Sequence, residues 1–130
     1  MRIAVDTSVI IAVIADEPEK AKLIELTKDS SIVAPPSIKW EVGNAFSAML
    51  KRSRVTLEQA IDAIQIYQEI SMEMVEINIE DAIRLAGKHQ IYAYDAYILQ
   101  CAIENNIPLI TLDRELANIA KKEGVRVLEV

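Results

Sequence analysis

The sequence predicts an α/β fold in which a parallel sheet of about five strands carries helices on both faces. Two observations lead to this prediction. Strand-like and helix-like segments alternate along the chain, and most of the strand-like segments are apolar throughout rather than on one side only. The 130 residues contain no repeat, low-complexity tract or linker, and they are too few for two ordinary domains. We therefore expect one domain over residues 1–130.

The first third of the chain predicts two strands separated by a charged helix. Residues 2–5 read as a short strand that ends at Asp6, and a short apolar segment follows it. A helix is expected over residues 16–28, with Asp16 as its N-cap, because acidic residues then occupy its first turn. Residues 31–34 predict the second strand, which two prolines close.

Two helices are expected in the middle of the chain. The first covers residues 37–52. The second opens with Thr56 and Gln59, which have the spacing of a capping box, and runs to about residue 70. Its apolar face is predicted to consist of Leu57, Ile61, Ile64 and Tyr67.

The last part of the chain repeats the alternation. The expected order is a strand (74–77), a helix capped by Asn78 (to about 89), a helix (93–105), a buried strand (108–112), a helix capped by Asp113 (to about 123) and a final strand (125–128). Gly124 is expected to end the last helix, since glycine is favoured directly after a helix C-terminus.

Composition narrows the class of protein. Hydrophobic residues make up 52% of the chain, more than a disordered chain carries. The longest apolar run is far shorter than the roughly 20 residues that span a bilayer, and the N-terminus lacks a signal-peptide pattern. A single cysteine, Cys101, cannot form an internal disulfide. We therefore expect a cytoplasmic protein without a membrane partner.

The net charge argues against simple binding to nucleic acid. The formal net charge is −6, whereas most nucleic-acid binders are basic because they neutralise phosphates. Any nucleic-acid function must therefore depend on a local cationic patch, a bound metal ion or a second subunit.

Four acidic residues are expected at one edge of the predicted sheet. Asp6 directly follows the first strand and Asp113 directly follows the strand over residues 108–112. Asp95 lies at the start of one helix, and Glu41 lies in the first turns of another. Because ligands of open α/β sheets bind beyond the carboxyl ends of the strands, where helices begin, the four carboxylates can converge on one cleft.

Such a cluster points to a divalent metal ion. Neighbouring carboxylates repel each other and raise each other's pKa, and hard cations such as Mg²⁺ or Mn²⁺ relieve this repulsion through oxygen ligands. The chemistry that follows is hydrolysis of a phosphodiester, with the metal activating water and stabilising the leaving oxygen. A cation would also bring an anionic backbone to an acidic cleft.

Each acid also has a simpler explanation. Asp95 and Asp113 are ordinary residues for a helix N-terminus, and Glu41 alone fits a solvated helix position. Asp6 is harder to explain in this way, because a charge at the end of a buried strand needs a partner. Together, four acids at the predicted ligand edge favour a functional site.

A receiver-like signalling module with an acidic pocket is an alternative fold assignment. It requires an acceptor aspartate at the end of the middle strand and a lysine at the end of a late strand. Asn78 follows the strand over residues 74–77, and no such lysine follows the last strand, so the sequence disfavours this alternative.

Four segments resemble, in the same order, the acidic motifs of PIN domains, with greatest similarity to VapC-type toxins of prokaryotic toxin–antitoxin pairs. They are Asp6-Thr7-Ser8-Val9, Glu41-Val42-Gly43-Asn44-Ala45, Tyr94-Asp95-Ala96 and Leu109-Ile110-Thr111-Leu112-Asp113-Arg114-Glu115-Leu116. The resemblance implies a PIN-like fold, a Mg²⁺- or Mn²⁺-dependent endoribonuclease, a homodimer and a cognate antitoxin that blocks the site. The family does not determine the RNA target, so a nuclease for RNA processing outside a toxin pair is the alternative.

The resemblance also assigns roles to individual residues. Asp6, Glu41 and Asp95 are expected to bind metal directly or through water, and Asp113 completes the pocket. Residues expected to orient ligands or water are Thr7, Ser8, Asn44 and Thr111. The alternative for each of these four is a local hydrogen bond to the backbone.

Two further groups have open interpretations. Tyr92, Tyr94 and Tyr97 surround Asp95 and either stack on an unpaired base or, as the sequence favours, pack against the sheet or a dimer mate. The remaining candidates for contact with RNA or the antitoxin are Lys51, Arg52, Arg54 and Arg114, for which a solvated surface role is equally compatible.

Overall fold

A computed structural model describes residues 1–130 and contains four strands and seven helices. The strands are β1 (Arg2–Val5), β2 (Ser31–Ala34), β3 (Glu73–Met74) and β4 (Leu109–Ile110). The helices are α1 (Thr7–Ile14), α2 (Lys20–Thr27), α3 (Ile38–Lys51), α4 (Leu57–Glu69), α5 (Ile79–His89), α6 (Ala93–Asn105) and α7 (Arg114–Lys122). None of these helices is both long enough and apolar enough to cross a membrane.

The strands form one parallel sheet in the order β3-β2-β1-β4. Strand β1 lies in the middle, pairing with β2 through Ile3 and Ile32 and with β4 through Val5 and Ile110. The strand order reverses between β1 and β4, because the chain first adds β2 and β3 on one side and later adds β4 on the other. A crevice is expected at this reversal, beyond the carboxyl ends of β1 and β4.

Both faces of the sheet are covered, and the alternation of side chains along β1 separates two hydrophobic clusters. Ile3 and Val5 point into a cluster built with α1, α3 and α4. Ala4 points to the opposite face, into a cluster built with α5, α6 and α7. The predicted α/β class, with helices on both faces of a parallel sheet, is therefore confirmed.

The sheet has four strands, and the expected strand over residues 125–128 does not form. This segment makes a single parallel bridge between Val127 and Leu109. The two backbone hydrogen bonds that join it to the sheet, Leu109 N–H to Arg126 O (2.9 Å) and Leu128 N–H to Leu109 O (3.0 Å), both involve one residue of β4. Because β4 is only two residues long, it offers too little edge for a regular ladder.

The prediction that Asp16 caps a helix is wrong. The apolar segment after Asp6 forms helix α1, and the chain then turns, with Asp16 at φ 55°. Helix α2 begins later, at Lys20, and its N-cap Glu19 makes no side-chain capping bond. The Asp16 carboxylate instead lies 3.4 Å from Lys20 Nζ.

The predicted apolar face of α4 is only partly correct. Tyr67 is buried as expected, but Leu57 and Ile61 are 66% and 49% exposed. Ala60 and Ala63 face the core beside Tyr67, since small side chains let the helix pack closely against its neighbours. Ala60, Ala63 and Tyr67 also have helical spacing, so the sequence of α4 offers two apolar stripes and the structure buries this one.

The capping box of α4 provides a test of local stability. Thr56 Oγ1 accepts a hydrogen bond from Gln59 N–H (3.1 Å), and Thr56 N–H donates to Gln59 Oε1 (3.0 Å). Thr56→Ala should lower the free energy of unfolding by about 1 kcal/mol, whereas Thr56→Ser keeps the hydroxyl and should lie close to the wild type. Urea unfolding curves of the three proteins measure the difference, and equal stability of the Ala and Ser variants would contradict it.

Candidate metal centre

Four carboxylates lie at the edge of the sheet where β1 and β4 end. Asp6 follows β1, Asp113 follows β4 after two residues, and Asp95 and Glu41 lie in the first turns of α6 and α3. Their charges act on one another: Asp113 raises the pKa of Asp6, and Asp95 and Asp6 raise that of Glu41. The structure thus brings these four sequence-predicted residues into one electrostatic cluster.

Asp6 is the most enclosed member of the cluster, with 6% of the residue exposed. Its Oδ1 accepts hydrogen bonds from Ser8 Oγ (2.6 Å) and Val9 N–H (3.3 Å), and its Oδ2 accepts one from Thr111 Oγ1. Burial raises its pKa above the usual range, the hydrogen bonds act in the opposite direction, and the charge of Asp113 adds to the increase. Both oxygens of this carboxylate are therefore held in defined directions.

The two hydroxyls that bind Asp6 also accept hydrogen bonds from the chain after β4. Thr111 Oγ1 accepts from Asp113 N–H, and Ser8 Oγ accepts from Leu112 N–H, each at 3.0 Å. Ser8 and Thr111 thus connect the carboxylate after β1 to the backbone that carries Asp113. The local backbone hydrogen bond considered as the alternative is present for Thr111, whereas the backbone partner of Ser8 is distant in the sequence. Both hydroxyls also donate to the carboxylate of Asp6, a predicted ligand.

Glu41 is buried and is held at both of its oxygens. Thr7 Oγ1 donates to Oε1 (2.9 Å), and Ser37 Oγ donates to Oε2 (3.0 Å). Burial is the main cause of its raised pKa. Ser37 was not singled out from the sequence, although its position four residues before Glu41 places the two on one face of a helix.

Asp95 is half-buried, and it differs from Asp6 and Glu41 because no protein group donates a hydrogen bond to its carboxylate. Burial, and then the charges of Asp113, Asp6 and Glu115, raise its pKa to about 6. Glu115 is a fifth acid near the cluster that sequence reasoning did not assign. Its position two residues after Asp113 was the available signal. No hydrogen bond or positive charge from the chain offsets the raised pKa of Asp95, so a bound cation would stabilise its charged form.

The two carboxylate oxygens of Asp113 differ, because one caps a helix and the other is available for binding. It is the N-cap of α7, where Oδ1 accepts hydrogen bonds from Glu115 N–H (2.9 Å) and Leu116 N–H (3.2 Å). Its Oδ2 accepts no hydrogen bond from the protein, and the residue is exposed. The capping interpretation of Asp113 is thus correct and still leaves one oxygen directed to solvent.

An open cleft of about 700 Å³ lies against Glu41 and Asp95. Thr7 and Asn44 line it, so Asn44 reaches the predicted site, although it makes no hydrogen bond to Glu41. The remaining wall consists of Ala45, Tyr92, Ala93, Tyr94 and Tyr97. The two carboxylates provide the only charges in this lining.

The predicted basic contacts do not line this cleft. Lys51, Arg52 and Arg54 are exposed at the last turn of α3 and beyond it. Glu41 lies in the first turn of the same helix, about 15 Å away along its axis at 1.5 Å per residue. Arg114 is exposed at the first position of α7, directly beside Asp113.

The donor set fits a hard divalent cation that keeps part of its water shell. All four candidate ligands are carboxylates, and burial or mutual repulsion raises the pKa of three of them. No group of three or more His, Cys, Asp or Glu side chains is arranged as a ready metal cage. Mg²⁺ is commonly held by one or two carboxylates together with water and substrate phosphate, so this arrangement suits it better than a metal that needs a full protein shell.

Solved structures share this fold. A protein from Pyrobaculum aerophilum is 23% identical, with a TM-score of 0.72 over 98% of this chain and 83% of that chain. The VapBC2 structure from Rickettsia felis, bound to a DNA fragment from its promoter, is 17% identical, with a TM-score of 0.65 over 98% of both chains. Mycobacterium tuberculosis VapC20, a toxin that cleaves the sarcin–ricin loop, is 15% identical, with a TM-score of 0.61 over 89% of this chain and 93% of that chain.

No curated protein sequence matches the chain. The family model of the PIN domain matches residues 3–122, which include all four carboxylates and the whole sheet except Arg2. PIN domains are nucleases that generally use divalent metal ions. From this match and from the fold, the chain belongs to the PIN domain family.

Proposed function

We propose that this protein is a divalent-metal-dependent endoribonuclease that hydrolyses phosphodiester bonds of RNA and acts as the toxin of a toxin–antitoxin pair. The observation that carries the proposal is the cluster of four carboxylates from separate segments at the edge of the sheet. The structural neighbours of the chain support RNA as the substrate, because one of them is a toxin that cleaves the sarcin–ricin loop.

In this proposal, Asp6, Glu41, Asp95 and Asp113 would hold Mg²⁺ or Mn²⁺, directly or through water. When bound, the ion supplies an activated water nucleophile and a positive charge beside the reacting phosphate. The chain itself provides orientation. Ser8 and Thr111 fix the carboxylate of Asp6, and the hydroxyls at positions 7 and 37 fix that of Glu41.

The same proposal resolves the conflict between a net charge of −6 and an RNA substrate. No cationic side chain lines the cleft, so the approach of a phosphate to Glu41 and Asp95 depends on the metal ion. RNA binding should therefore be weak in a chelator and stronger with the cation present.

The partners belong to the proposal as well. The Rickettsia felis neighbour is VapBC2, which supports a cognate antitoxin for this chain. A homodimer is supported by exposed apolar residues on two helices, Leu57 and Ile61 on α4 and Ile79 and Ile83 on α5. We place this activity in one domain over residues 1–130 and, because of its RNA substrate, in the cytoplasm.

Cleavage should require a divalent cation and the candidate ligands. The purified chain should cut total RNA with Mg²⁺ or Mn²⁺ and should lose this activity in excess chelator. Asp6→Asn and Asp95→Asn keep the side-chain size but remove a ligand charge, so each should lower the rate by at least about a hundredfold.

Sequencing of RNA ends after induced expression of each variant measures the same loss in cells. Asp62→Asn, an exposed carboxylate on α4, is the matched control and should cut like the wild type. Robust cleavage in chelator would contradict the metal mechanism, and normal turnover by Asp95→Asn would place that residue outside the metal site.

The raised pKa of Asp95 also predicts how stability changes with pH in the metal-free protein. Its pKa rises from 3.8 to about 6 on folding, so between these values the folded state holds more protons, and stability falls as pH increases. Asp95→Asn removes this penalty and should raise the free energy of unfolding at pH 7 by about 1–2 kcal/mol, after allowance for solvent screening.

The gain should disappear near pH 4, where Asp95 is protonated in the folded state. Urea unfolding in chelator at pH 4 and pH 7 measures this dependence. Asp62→Asn should show no such change, because this carboxylate is exposed. A variant that is less stable than the wild type at pH 7 would contradict the electrostatic cluster.

The basic run of Lys51, Arg52 and Arg54 offers a separate test of RNA contact. Replacing all three with Gln should weaken RNA binding and flatten its salt dependence by roughly one unit of slope per lost phosphate contact. The rate at saturating RNA should change much less, since the run lies far from the carboxylates along α3. Unchanged RNA affinity with weaker inhibition by the antitoxin would instead assign this run to the protein partner.

A further inference from the structure

The N-cap and the first turn of α6 expose two aromatic side chains beside the carboxylates. Tyr92 is 88% exposed and Tyr94 is 40% exposed. Both belong to the cleft that contains Glu41 and Asp95, and Asp95 directly follows Tyr94. We call Tyr92 and Tyr94 the tyrosine platform. Tyr92 therefore does not pack against the sheet, and Tyr94 keeps part of its surface in solvent, while the other half of the expectation, packing against a dimer mate, stays a prediction.

The third tyrosine supports the platform. Tyr97 lies one turn further along α6 and is half-buried. The rings of Tyr94 and Tyr97 meet edge to face, with centroids 6.1 Å apart and an interplanar angle of 71°. This geometry is a favourable aromatic contact and restrains the rotation of the Tyr94 ring. A restrained, solvent-facing ring loses little conformational entropy when a flat ligand stacks on it.

We propose that the tyrosine platform stacks an unpaired nucleobase of RNA, the base of a nucleotide adjacent to the phosphate that the chain cleaves. This inference rests on the proposed function and deepens it, because it assigns the side chains that position the reacting nucleotide, whose base must be unpaired. A base within a duplex is stacked on its neighbours on both faces and cannot reach the platform.

The lining of the cleft favours a base over other occupants. Its volume of about 700 Å³ accommodates a nucleotide. Its only charges are the carboxylates of Glu41 and Asp95, which repel an acidic peptide along its whole length but do not repel an uncharged base. In the absence of a cation, stacking on the rings is therefore the main source of affinity within the cleft. Asn44, on the same wall, carries an amide that can both donate to and accept from a base edge.

The tyrosine platform lies directly beside the candidate metal ligands. Tyr94 and Asp95 are consecutive residues at the start of α6, and both line the same cleft as Glu41. A nucleotide stacked here therefore has its sugar and phosphate close to the candidate metal ligands. The platform acts as a specificity-determining surface and takes no part in proton or phosphoryl transfer.

The test compares loss of the rings with loss of the hydroxyls alone. The variants are Tyr92→Ala with Tyr94→Ala, the corresponding double Phe variant, and Trp40→Ala as a control at an exposed aromatic residue that does not line the cleft. The probe is a single-stranded RNA 12-mer of random sequence that contains 2-aminopurine, whose fluorescence falls when the base stacks. Titrations in chelator at low salt exclude cleavage, and a duplex of the same length serves as the competitor.

The wild type, the double Phe variant and Trp40→Ala should quench the probe and bind it with equal affinity. The double Ala variant should bind about tenfold more weakly without quenching, as expected for the loss of base stacking. The duplex should compete at least about tenfold less well than single-stranded RNA. Urea unfolding verifies that the Ala variant is folded, as expected for exposed side chains.

Equal binding by the double Ala variant, or equal competition by the duplex, would overturn the inference. Weaker inhibition by an antitoxin with unchanged RNA binding would also overturn it, because the platform would then contact a protein. Absence of cleavage with every cation would contradict the proposed function, whereas the difference between the Ala and Phe variants in chelator would still report on the platform.

Discussion

The buried carboxylate of Asp6 constrains the arrangement of the whole site. It stands at the end of the central strand, enclosed by the sheet and by the start of α1, where an ion without hydrogen bonds would cost several kcal/mol. Three donors, from Ser8, Val9 and Thr111, satisfy it. The Val9 bond caps α1, while the Thr111 bond reaches across to the segment after β4. One charged group thus determines where α1 begins and how the ends of two neighbouring strands are aligned.

The positions of the other acids follow from that arrangement. Because Asp6 caps α1, Thr7 is the first residue of that helix. The hydroxyl of Thr7 then donates a hydrogen bond to Glu41 on α3. Ser37 completes the pair of donors to Glu41 from one turn earlier. On the other side, Thr111 accepts from the backbone N–H of Asp113, and Asp113 in turn caps α7. Short hydroxyl side chains therefore transmit the position of Asp6 to the helices on both faces of the sheet.

The concentration of negative charge at the site lowers the stability of the folded chain. Burial and mutual repulsion raise the pKa of Asp6, Glu41 and Asp95, so each carboxylate destabilises the folded metal-free chain at neutral pH. Natural proteins commonly tolerate such costs where function requires them. The exposed rings of Tyr92 and Tyr94 also add little to stability, since their apolar surface remains in water next to the acids.

Local patterns in the sequence were sufficient for much of this description. The strand over residues 2–5, the helix over 93–105 and the caps at Thr56, Asn78 and Asp113 agree with the structure, because each depends on residues within one turn or one strand. The four acids could be found in the same way, Asp6 and Asp113 after apolar strands and Glu41 and Asp95 in the first turns of helices. Their assignment to a sheet edge needed only the rule that parallel strands end on the same side.

Contacts between distant residues were decided by the tertiary structure alone. Residues 125–128 have a strand-like sequence but meet only a two-residue edge, and Asp16 lies in a turn because α1 already occupies the preceding segment. The donors to Glu41 and the exposure of the tyrosines depend on how α1, α3 and α6 pack. A sequence pattern reports the preference of each segment, whereas burial and hydrogen bonding across segments depend on neighbours that only the folded chain brings together.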